Sequence, residues 1–555
     1  MKSRKERIAI YLPVIISLAL VTGILLGNWI AGSRIRSIVT DEVNKQKFSI
    51  RPGLNTGSGF SLHPRGNKIS SAMQYILNEY VDTVSMTNLN ESVMPALVEK
   101  LDPHSMYIPA TDFQRFAEPL VGNFSGIGVT FNKAEDTVAI INTIPNGPSE
   151  MVGIMPGDRI ITVDDSLVAG VNMPNDDIVR MLKGPKNTVV KVSVYRRGEP
   201  ELLDFEITRD DIPIHSVDVA YMVNDNTGYI KISQFARNTY QEFMEAVEKL
   251  KAQNVERLII DLRNNGGGIM EAATMIADQF LEEGQLIVYM EGRTRPREND
   301  YATSRGILKE DNVVVLIDET SASASEILAG AIQDNDRGLV IGRRSFGKGL
   351  VQEEMRFEDG SALRLTVARY YTPTGRSIQR PYENGKEEYY HDFRDRIERG
   401  ELENADSIEF DDSQRFITPG GKTVYGGGGI MPDIFVPIDT LETSEYFGRA
   451  RSMGLMYRFA FHYTDLHRDV LGRYTDVQGL EEHLDGQDLL AQFVAWSEEK
   501  GLEPDREDIE RSGNILRETI KAYVARNIID NEGFYPIIAD IDNALQVAID
   551  TITKL

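Results

Sequence analysis

A serine and a lysine near the middle of the chain have the residue types of a catalytic pair. Ser323 lies in the stretch SASASE, where an apolar helical pattern begins, and Lys348 follows in FGKG. A serine hydroxyl becomes a good nucleophile when a base removes its proton, and a lysine can accept that proton only when it is neutral. Burial lowers the pKa of a lysine, and Phe346 and Leu350 could supply apolar walls around this one. These residues could therefore attack a carbonyl group.

The same serine also has a structural interpretation. Ser323 and Glu326 fit the capping box S-x-x-E, in which the serine caps a helix and the glutamate returns a hydrogen bond. The pattern alone favours the cap. The two roles are compatible, because a helix start leaves the next N–H, that of Ala324, unpaired and able to meet an oxyanion. Gln352, which follows Lys348, could orient the base or be a surface residue on a strand.

A glycine-rich turn could supply further main-chain donors. The stretch DLRNNGGG, Asp261 to Gly268, ends an apolar strand and precedes a helical pattern. Backbone N–H groups at such a turn can converge on an anion or on a developing oxyanion. A plain tight turn explains the stretch better when it is taken alone. The motifs GxGxxG and Walker A are absent from it, so an oxyanion role is favoured over phosphate binding.

A β-rich segment, residues 119–210, precedes these motifs. Its short alternating strands enclose one helical stretch, NDDIVRMLKG. The stretch GIMPGDRIITV, from Gly153 to Val163, resembles the signature of PDZ domains, which bind a peptide as an added strand and hold its terminal carboxylate on backbone N–H groups. A turn without a ligand is the alternative. The resemblance implies a peptide-binding loop that contains Gly126, Ile127, Gly128 and Val129.

Composition excludes several classes of function. The 555 residues carry a net charge of -25, and no dense Lys/Arg stripe offsets it, so nucleic acid is not expected as a partner. The absence of cysteine excludes disulfides, thiolate catalysis and Cys-ligated zinc. The seven histidines form no HExxH motif, so we expect neither a metal site nor another cofactor.

The N-terminal residues predict a membrane anchor. After MKSRKER, no charged residue occurs from Ile8 to Ser33, a run that is long enough to span a bilayer and longer than the core of a cleaved signal peptide. The basic residues before the run favour a cytoplasmic N-terminus. We therefore expect an uncleaved anchor, and a cleaved signal is the alternative.

The elements around the catalytic motifs predict a layered core. From residue 211 to 437, apolar strands alternate with amphipathic helices, which is typical of βαβ units. Residues 380–415 contain 12 acidic and 6 basic residues and are interpreted as a solvated insertion. The chain beyond residue 437 is helical and acidic, and its sequence indicates no chemistry.

Taken in order, the motifs resemble those of the carboxy-terminal processing, or tail-specific, serine proteases. The match covers LDPHSMYIPA, the PDZ segment, GYIKISQF, DLRNNGGG, SASASEI, FGKGLVQ, YYTPTGRSIQ and GGGGIMPDI, from about residue 101 to 437. The resemblance implies a Ser/Lys pair with Ser323 as nucleophile and Lys348 as base, supported by Gln352. It also implies an oxyanion hole from the amides of Ala324 and one glycine of DLRNNGGG, which we predict to be Gly267.

The predicted fold class is multidomain α/β, with a crotonase/ClpP-like layered protease core, a β-rich PDZ domain and helical regions at both ends. The insertion and the long C-terminal region depart from the family pattern and leave open how substrate reaches the pair. The predicted ranges are a cytoplasmic N-terminus (1–7), a transmembrane anchor (8–32), a linker (33–67), a helical N-terminal region (68–118), the PDZ domain (119–210), the protease core (211–437, with the insertion 380–415) and a helical C-terminal region (438–555).

The function predicted from these features is a serine endopeptidase of the cell envelope that recognises the C-terminal tails of protein substrates. We expect a single-pass protein of the bacterial inner membrane with its catalytic part in the periplasm, and an adaptor or oligomer partner is possible. The main alternative is a catalytically inactive PDZ scaffold. A Ser-His-Asp protease lacks its histidine and nucleophile motifs in the sequence, and a crotonase-like acyl-transfer enzyme has no evident use for a PDZ domain.

Overall fold

The structure is a computed structural model that describes residues 68–134, 136–440 and 442–555. The predicted N-terminus, anchor and linker, residues 1–67, lie outside these ranges. No helix within the described ranges has both the length and the hydropathy of a membrane span. The chain divides after Val84 into two compact units. The first contributes helix α1 (Lys68–Glu79), and the second contains every other element named below.

Two helices and a strand lead into the β-rich segment. They are α2 (Met86–Val98), β1 (Met106–Ile108) and α3 (Ala110–Val121). The Ser85 hydroxyl caps α2 by accepting a hydrogen bond from the Asn88 amide. Helix α3 ends at Gly122, whose φ of 83° is left-handed and suits glycine. The chain turns there into the next sheet.

The β-rich segment forms one sheet and a separate two-stranded ribbon. Its elements are β2 (Asn123–Gly126), β3 (Val129–Ala134), β4 (Thr137–Thr143), α4 (Pro148–Met151), β5 (Arg159–Val163), β6 (Ser166–Leu167), α5 (Asn175–Leu182), β7 (Val189–Tyr195), β8 (Leu203–Thr208) and β9 (Asp210–Pro213). The sheet order is β3-β4-β5-β7-β8, with β6 beside β5, and β2 pairs with β9 to form the ribbon. Strand β3 therefore lies at an edge of the sheet.

The protease core carries the remaining strands. Its elements are β10 (Val217–Met222), β11 (Thr227–Ile232), α6 (Thr239–Lys251), β12 (Arg257–Asp261), α7 (Met270–Asp278), β13 (Leu286–Glu291), β14 (Glu298–Tyr301), β15 (Asn312–Ile317), α8 (Ala324–Asp334), β16 (Leu339–Gly342), β17 (Leu350–Arg356), β18 (Ala362–Tyr371), α9 (Lys386–Glu398), β19 (Arg415–Ile417), β20 (Thr423–Tyr425) and β21 (Ile434–Phe435). One sheet has the order β10-β11-β12-β15-β16-β21 and is parallel except for β10. A second sheet has the order β1-β18-β13-β14, with β17 beside β18.

The C-terminal region is helical, as the sequence predicts. It comprises α10 (Glu445–Ser452), α11 (Leu455–Leu471), α12 (Val477–Asp485), α13 (Leu489–Glu499), α14 (Arg506–Ile529), α15 (Asn531–Ala539) and α16 (Asn543–Ile552). Its helices have an apolar core of their own, built around Phe459, Phe493 and Leu516. The last helix instead contributes to the protease core, where Leu545 and Ile552 pack with buried residues of the parallel sheet.

Both faces of the parallel sheet are covered, which explains its continuous apolar strands. Every residue of β11 is buried, as are the last five of β15. Helices α6, α7 and α8 cover one face, and α16 covers the other. The predicted layered core is thus confirmed, and part of its second layer comes from the C-terminal region. The carboxyl ends of β12 and β15 lead directly into the two turns of the candidate site.

Candidate active site

Ser323 occupies a strained turn between β15 and α8. Its φ of 56° and ψ of -112° are unusual for a residue with a side chain. It is the one residue from Ser321 to Asp334 that is not buried. Helix α8 begins at the next residue, Ala324, whose amide donates to no acceptor among the residues described. The turn therefore presents the Ser323 hydroxyl, and beside it an N–H without an acceptor in the described part of the chain, at the start of a buried helix.

The Glu326 carboxylate connects the nucleophile turn to the lysine loop. It accepts hydrogen bonds from the amides of Ser323 at 2.8 Å, Lys348 at 2.9 Å and Gly347 at 2.7 Å, and from the Ser345 hydroxyl at 2.5 Å. Burial raises the pKa of Glu326, and these donors lower it in part. The predicted return bond of the capping box is present. The same carboxylate also fixes the distance between the two loops, which the pattern S-x-x-E does not indicate.

Lys348 is partly buried, and among the described residues its side chain has one hydrogen-bonded partner. Its Nζ donates to Gln352 Oε1 at 3.2 Å, and Gln352 Nε2 donates to the His104 carbonyl at 2.8 Å. Burial lowers the pKa of Lys348, and the positive charge of Arg364 lowers it further. Of the two predicted apolar walls, Leu350 lines the same cavity as Lys348, whereas the Phe346 ring contacts His104 and not the cavity.

The DLRNNGGG turn lies against the nucleophile turn. Gly267 has a φ of 95°, and a Cβ atom there would lie 2.8 Å from Ser323 Cβ and 2.9 Å from the Ala324 amide nitrogen. Only glycine fits such a contact. The Gly267 amide, predicted to complete the oxyanion hole, donates to Asn265 Oδ1 at 2.9 Å. It could therefore serve an oxyanion only by leaving that acceptor, and its role stays a prediction.

Asn265 is a positioning residue that the sequence did not reveal. Its backbone carbonyl accepts from the Ala322 amide at 3.0 Å and from the Ser325 hydroxyl at 2.9 Å. Its side chain is fully buried and donates to the Ile232 carbonyl at 2.9 Å. Asn265 thus joins the glycine turn, the nucleophile turn and β11. Its place before three glycines was visible, but its long-range partners were not.

The predicted catalytic residues meet in one cavity. The cavity has a volume of about 590 Å³ and is lined by Ser323, Lys348, Gln352 and the three glycines 266–268. Ile327, Leu350 and Tyr370 give it an apolar floor, and residues of α3 border it. Among the described contacts, Ser323 Oγ and Lys348 Nζ share no direct hydrogen bond. Catalytic hydrogen bonds are often long before substrate binds, so the lack of this bond is compatible with a base role for Lys348.

Tyr370 contacts the backbone of both catalytic segments. Its side chain is fully buried, and its hydroxyl faces the Ser323 carbonyl at 3.1 Å and the Lys348 carbonyl at 2.7 Å. A single hydroxyl proton can bond only one of them well at a time, so the second contact is weaker. The sequence showed this residue only as part of the YYTPTGRSIQ motif.

The LDPHSMYIPA motif forms a loop beside Gln352. Asp102 Oδ1 accepts from the amides of His104 and Ser105, both at 2.8 Å, and Asp102 Oδ2 accepts from the Ser105 hydroxyl at 2.5 Å. These bonds hold the peptide group between residues 104 and 105. The carbonyl of that group belongs to His104 and accepts the hydrogen bond from Gln352 Nε2. Asp102, His104 and Ser105 are therefore part of the site, although the sequence assigned them no role.

The predicted peptide-binding loop stands at the start of the edge strand β3. Ile127 is buried, and its carbonyl accepts from the Ser149 amide at 3.1 Å and hydroxyl at 2.7 Å. Gly128 has a φ of 72°, and a Cβ atom there would lie 3.0 Å from Ile212 Cδ1. The structure thus places Gly126 at the end of β2, Ile127 and Gly128 in the connection, and Val129 at the start of the edge strand β3. An edge strand is the element that strand addition requires.

Comparisons with known proteins identify the family. Residues 226–384 match peptidase family S41, residues 118–195 match the PDZ domain, and residues 446–530 match a family of unknown function, DUF8443. A probable CtpA-like serine protease of Staphylococcus epidermidis is 33% identical over 361 residues, which are 64% of this chain and 70% of that protein. The chain belongs to peptidase family S41. The predicted family and the inserted PDZ domain are confirmed.

Other C-terminal processing proteases are also similar. A carboxy-terminal-processing protease of Bartonella bacilliformis is 32% identical over 317 residues, which are 56% of this chain and 72% of that protein. A solved photosystem II D1 C-terminal processing protease is 25% identical, covers 67% of this chain and 87% of its own, and gives a TM-score of 0.36. The curated S41 relatives are serine proteases, so this chain is assigned to that class of enzyme. The S41 match contains both Ser323 and Lys348.

Proposed function

We propose that this S41 peptidase hydrolyses peptide bonds through an acyl-enzyme, with Ser323 as nucleophile and Lys348 as general base. One observation carries the proposal: Ser323, the one unburied residue from Ser321 to Asp334, occupies a strained turn and shares a cavity with a partly buried lysine whose pKa is lowered. Strain at a residue with a side chain persists only where the surrounding structure enforces it, and such strain is concentrated at functional sites. A serine that only caps a helix needs neither a strained backbone nor a nearby lysine with a lowered pKa.

The proposed reaction proceeds in two halves. Ser323 Oγ attacks the peptide carbonyl carbon while its proton passes to neutral Lys348 Nζ. The oxyanion that forms accepts a hydrogen bond from the Ala324 amide and a second from the glycine turn. The C–N bond then breaks, Lys348 returns the proton to the leaving amine, and an ester to Ser323 remains. A water molecule attacks this ester and gives a proton to Lys348. The ester C–O bond then breaks, Lys348 returns the proton to Ser323 Oγ, and the acid is released.

Gln352 suits a neutral lysine better than an acid would. Its Oε1 accepts one N–H of Lys348 and its Nε2 donates to the His104 carbonyl, so both ends of the amide are satisfied. The amine keeps its lone pair for the serine proton. A carboxylate at the same place would favour the charged ammonium, which cannot act as a base.

The test of this mechanism is Lys348→Arg beside Ser323→Ala. Arginine keeps the positive charge but does not lose its proton near neutral pH, so we expect both variants to lose peptidase activity by at least about a thousandfold. The double variant should be no worse than either single one, because the two residues act as a unit. Circular dichroism checks that each variant folds. Substantial activity in Lys348→Arg would contradict the Ser/Lys mechanism, and a wild-type chain that neither cleaves peptides nor reacts with a fluorophosphonate would favour the PDZ scaffold.

The PDZ domain is proposed to recruit substrates by their C-terminal tails. The support is the loop before β3 and the open edge of that strand, which together could hold a carboxylate and pair with an extended peptide. A peptide with a free apolar C-terminus should bind about tenfold more tightly than its amidated form, because one charged hydrogen-bonded group is lost. Fluorescence anisotropy on the Ser323→Ala variant measures this without cleavage. Equal affinities would contradict tail recognition.

The proposed location is the bacterial inner membrane, with the catalytic part in the periplasm. The support is the uncharged run from Ile8 to Ser33 and the basic residues before it. We expect the full chain in the membrane fraction of expressing cells and a form beginning at Lys68 in the soluble fraction. Recovery of the full chain from the soluble cytoplasm would contradict this location.

A further inference from the structure

The charged insertion is largely exposed, as its composition predicts, but a few of its side chains are buried against the protease core. Its helix α9 buries one face against the protease core, where Tyr389 is 3% exposed and Arg396 is 2% exposed. Residue Arg380, at the start of the insertion, is also buried. Charged residues are rarely buried without partners, so the contacts of this face show what the helix holds in place.

One set of contacts reaches the LDPHSMYIPA loop. The Tyr389 hydroxyl and His104 Nε2 are hydrogen-bonded at 2.7 Å, and the two rings meet edge to face with centroids 5.2 Å apart. The neighbouring Tyr390 hydroxyl donates to the Pro103 carbonyl at 2.9 Å. Burial and the charge of Lys348 lower the pKa of His104 to about 4, so the imidazole is neutral near pH 7. The contact is therefore one between uncharged groups.

A second set of contacts reaches the lysine loop. Arg396 Nη1 donates to the Ser345 carbonyl at 2.9 Å, three residues before Lys348. The Arg380 guanidinium lies between two aromatic rings, 4.0 Å from the Phe346 centroid and 3.9 Å from the Tyr389 centroid. Helix α9 thus packs against the loop that carries the base and against the loop that carries its orienting carbonyl.

The route from Tyr389 to the base consists of three hydrogen bonds. Tyr389 fixes the His104 ring, the His104 carbonyl accepts from Gln352 Nε2, and Gln352 Oε1 accepts from Lys348 Nζ. Asp102 holds the other end of the same peptide group through the Ser105 amide. If the His104 residue rotates, its carbonyl leaves Gln352, and Gln352 no longer holds the lysine amine.

We propose that Tyr389 of the inserted helix is a positioning residue for Lys348, acting through His104 and Gln352. This inference rests on the proposed Ser/Lys mechanism and adds to it. The inserted helix thereby completes the base side of the site. The residue touches neither the substrate nor the reacting atoms.

The experiment is a double-mutant cycle on the full chain. Tyr389→Phe removes one hydroxyl and keeps the ring and the charge, and Gln352→Ala removes the link to the base. With a quenched fluorescent peptide ending in a free apolar C-terminus, we expect Tyr389→Phe to lower kcat about fivefold to tenfold with KM unchanged. In the Gln352→Ala background, the same change should have almost no effect on kcat, because the path to Lys348 is already broken.

A matched control separates positioning from general destabilisation. Tyr446→Phe removes another buried tyrosine hydroxyl, which is bonded to Ser497 Oγ at 2.8 Å within the C-terminal helices, and should leave kcat unchanged. If Tyr389→Phe does not fold, Tyr390→Phe tests the same loop from the half-exposed neighbour by the same criteria. An unchanged kcat, or an equal fall with and without Gln352, would overturn the inference.

The Lys348→Arg variant, measured in the same series, distinguishes the two ways of failing. If Lys348→Arg is inactive while the cycle shows no coupling, the Ser/Lys mechanism stands and only the role of Tyr389 is wrong. If Lys348→Arg remains active, the proposed mechanism itself is wrong, and the inference about Tyr389 fails with it.

Discussion

The nucleophile turn and the base loop line one cavity but are held in different ways. Ser323 is fixed by its own backbone conformation, by Glu326 three residues away and by close contact with Gly267. Lys348 is oriented through Gln352, which bonds to a carbonyl 248 positions away in the sequence, and His104 is in turn held by Tyr389, 285 positions away. The nucleophile turn is thus held by its strained backbone and by close packing, and the Lys348 side chain is oriented by a series of single hydrogen bonds from distant segments.

The two halves also differ in what a single change can cost. A strained backbone with a fully buried helix behind it has one conformation that works, so a steric change there has a large effect. The orientation of the Lys348 side chain depends on single hydrogen bonds through Gln352 and His104, and a typical bond of this kind contributes about 1 kcal/mol. We therefore expect abrupt losses on the nucleophile side and graded losses on the base side.

The largest effect is expected at the contact between the glycine turn and the nucleophile turn. Gly267→Ala would place a Cβ atom 2.6 Å from the Ala322 carbonyl oxygen and 2.8 Å from Ser323 Cβ, at a φ of 95°. We expect kcat to fall at least about a hundredfold and the thermal midpoint to fall as well. Steady-state kinetics and thermal melting measure the two effects.

Gly284→Ala is the matched control for that prediction. Its φ of 84° is also left-handed, but no atom lies within 4 Å of the added Cβ, so only the backbone strain is introduced. It should lose some stability and keep its kcat. Equal kcat values for the two variants would show that the nucleophile turn tolerates displacement, and the contrast drawn above would fail.

A smaller, pH-dependent effect is expected on the base side from Gln352→Glu. The carboxylate would stabilise the ammonium form of Lys348 and raise its pKa, so less of the neutral base is present near pH 7. Activity should fall about tenfold at neutral pH, and the rising limb of the pH profile should move to higher pH, where part of the activity returns. A profile of kcat/KM against pH measures this.

Gln253→Glu provides the control for the pH profile. Gln253 Nε2 also donates to a backbone carbonyl, that of Lys249, but on an exposed surface. Its pH profile should match that of the wild type. If Gln352→Glu shows the same pH profile as the wild type, then Gln352 does not govern the protonation of Lys348. Burial alone would then set the pKa of the lysine.

The difference between the two halves explains what could be predicted. The Ser323 and Glu326 pattern, the glycines at 266–268 and the PDZ stretch are short-range signals. The structure places Ser323 and the three glycines in one cavity and bonds Glu326 back to Ser323, and their catalytic roles stay predictions. Phe346, offered as an apolar wall, does not line the cavity, and its ring packs on His104. The strain at Ser323 and the occupied Gly267 amide have no signature in composition or periodicity.

The sequence by itself determined the family, the order of the domains, the layered core and the residues able to do chemistry, because each depends on motifs or on local periodicity. The tertiary structure decided how the base is held. A segment with 12 acidic and 6 basic residues was predicted to be solvated, yet it buries Tyr389 and Arg396 against the catalytic loops. The last helix covers the second face of the core sheet. Both outcomes depend on contacts between residues far apart in the chain, and composition records the charge of a segment but not which of its side chains faces inward.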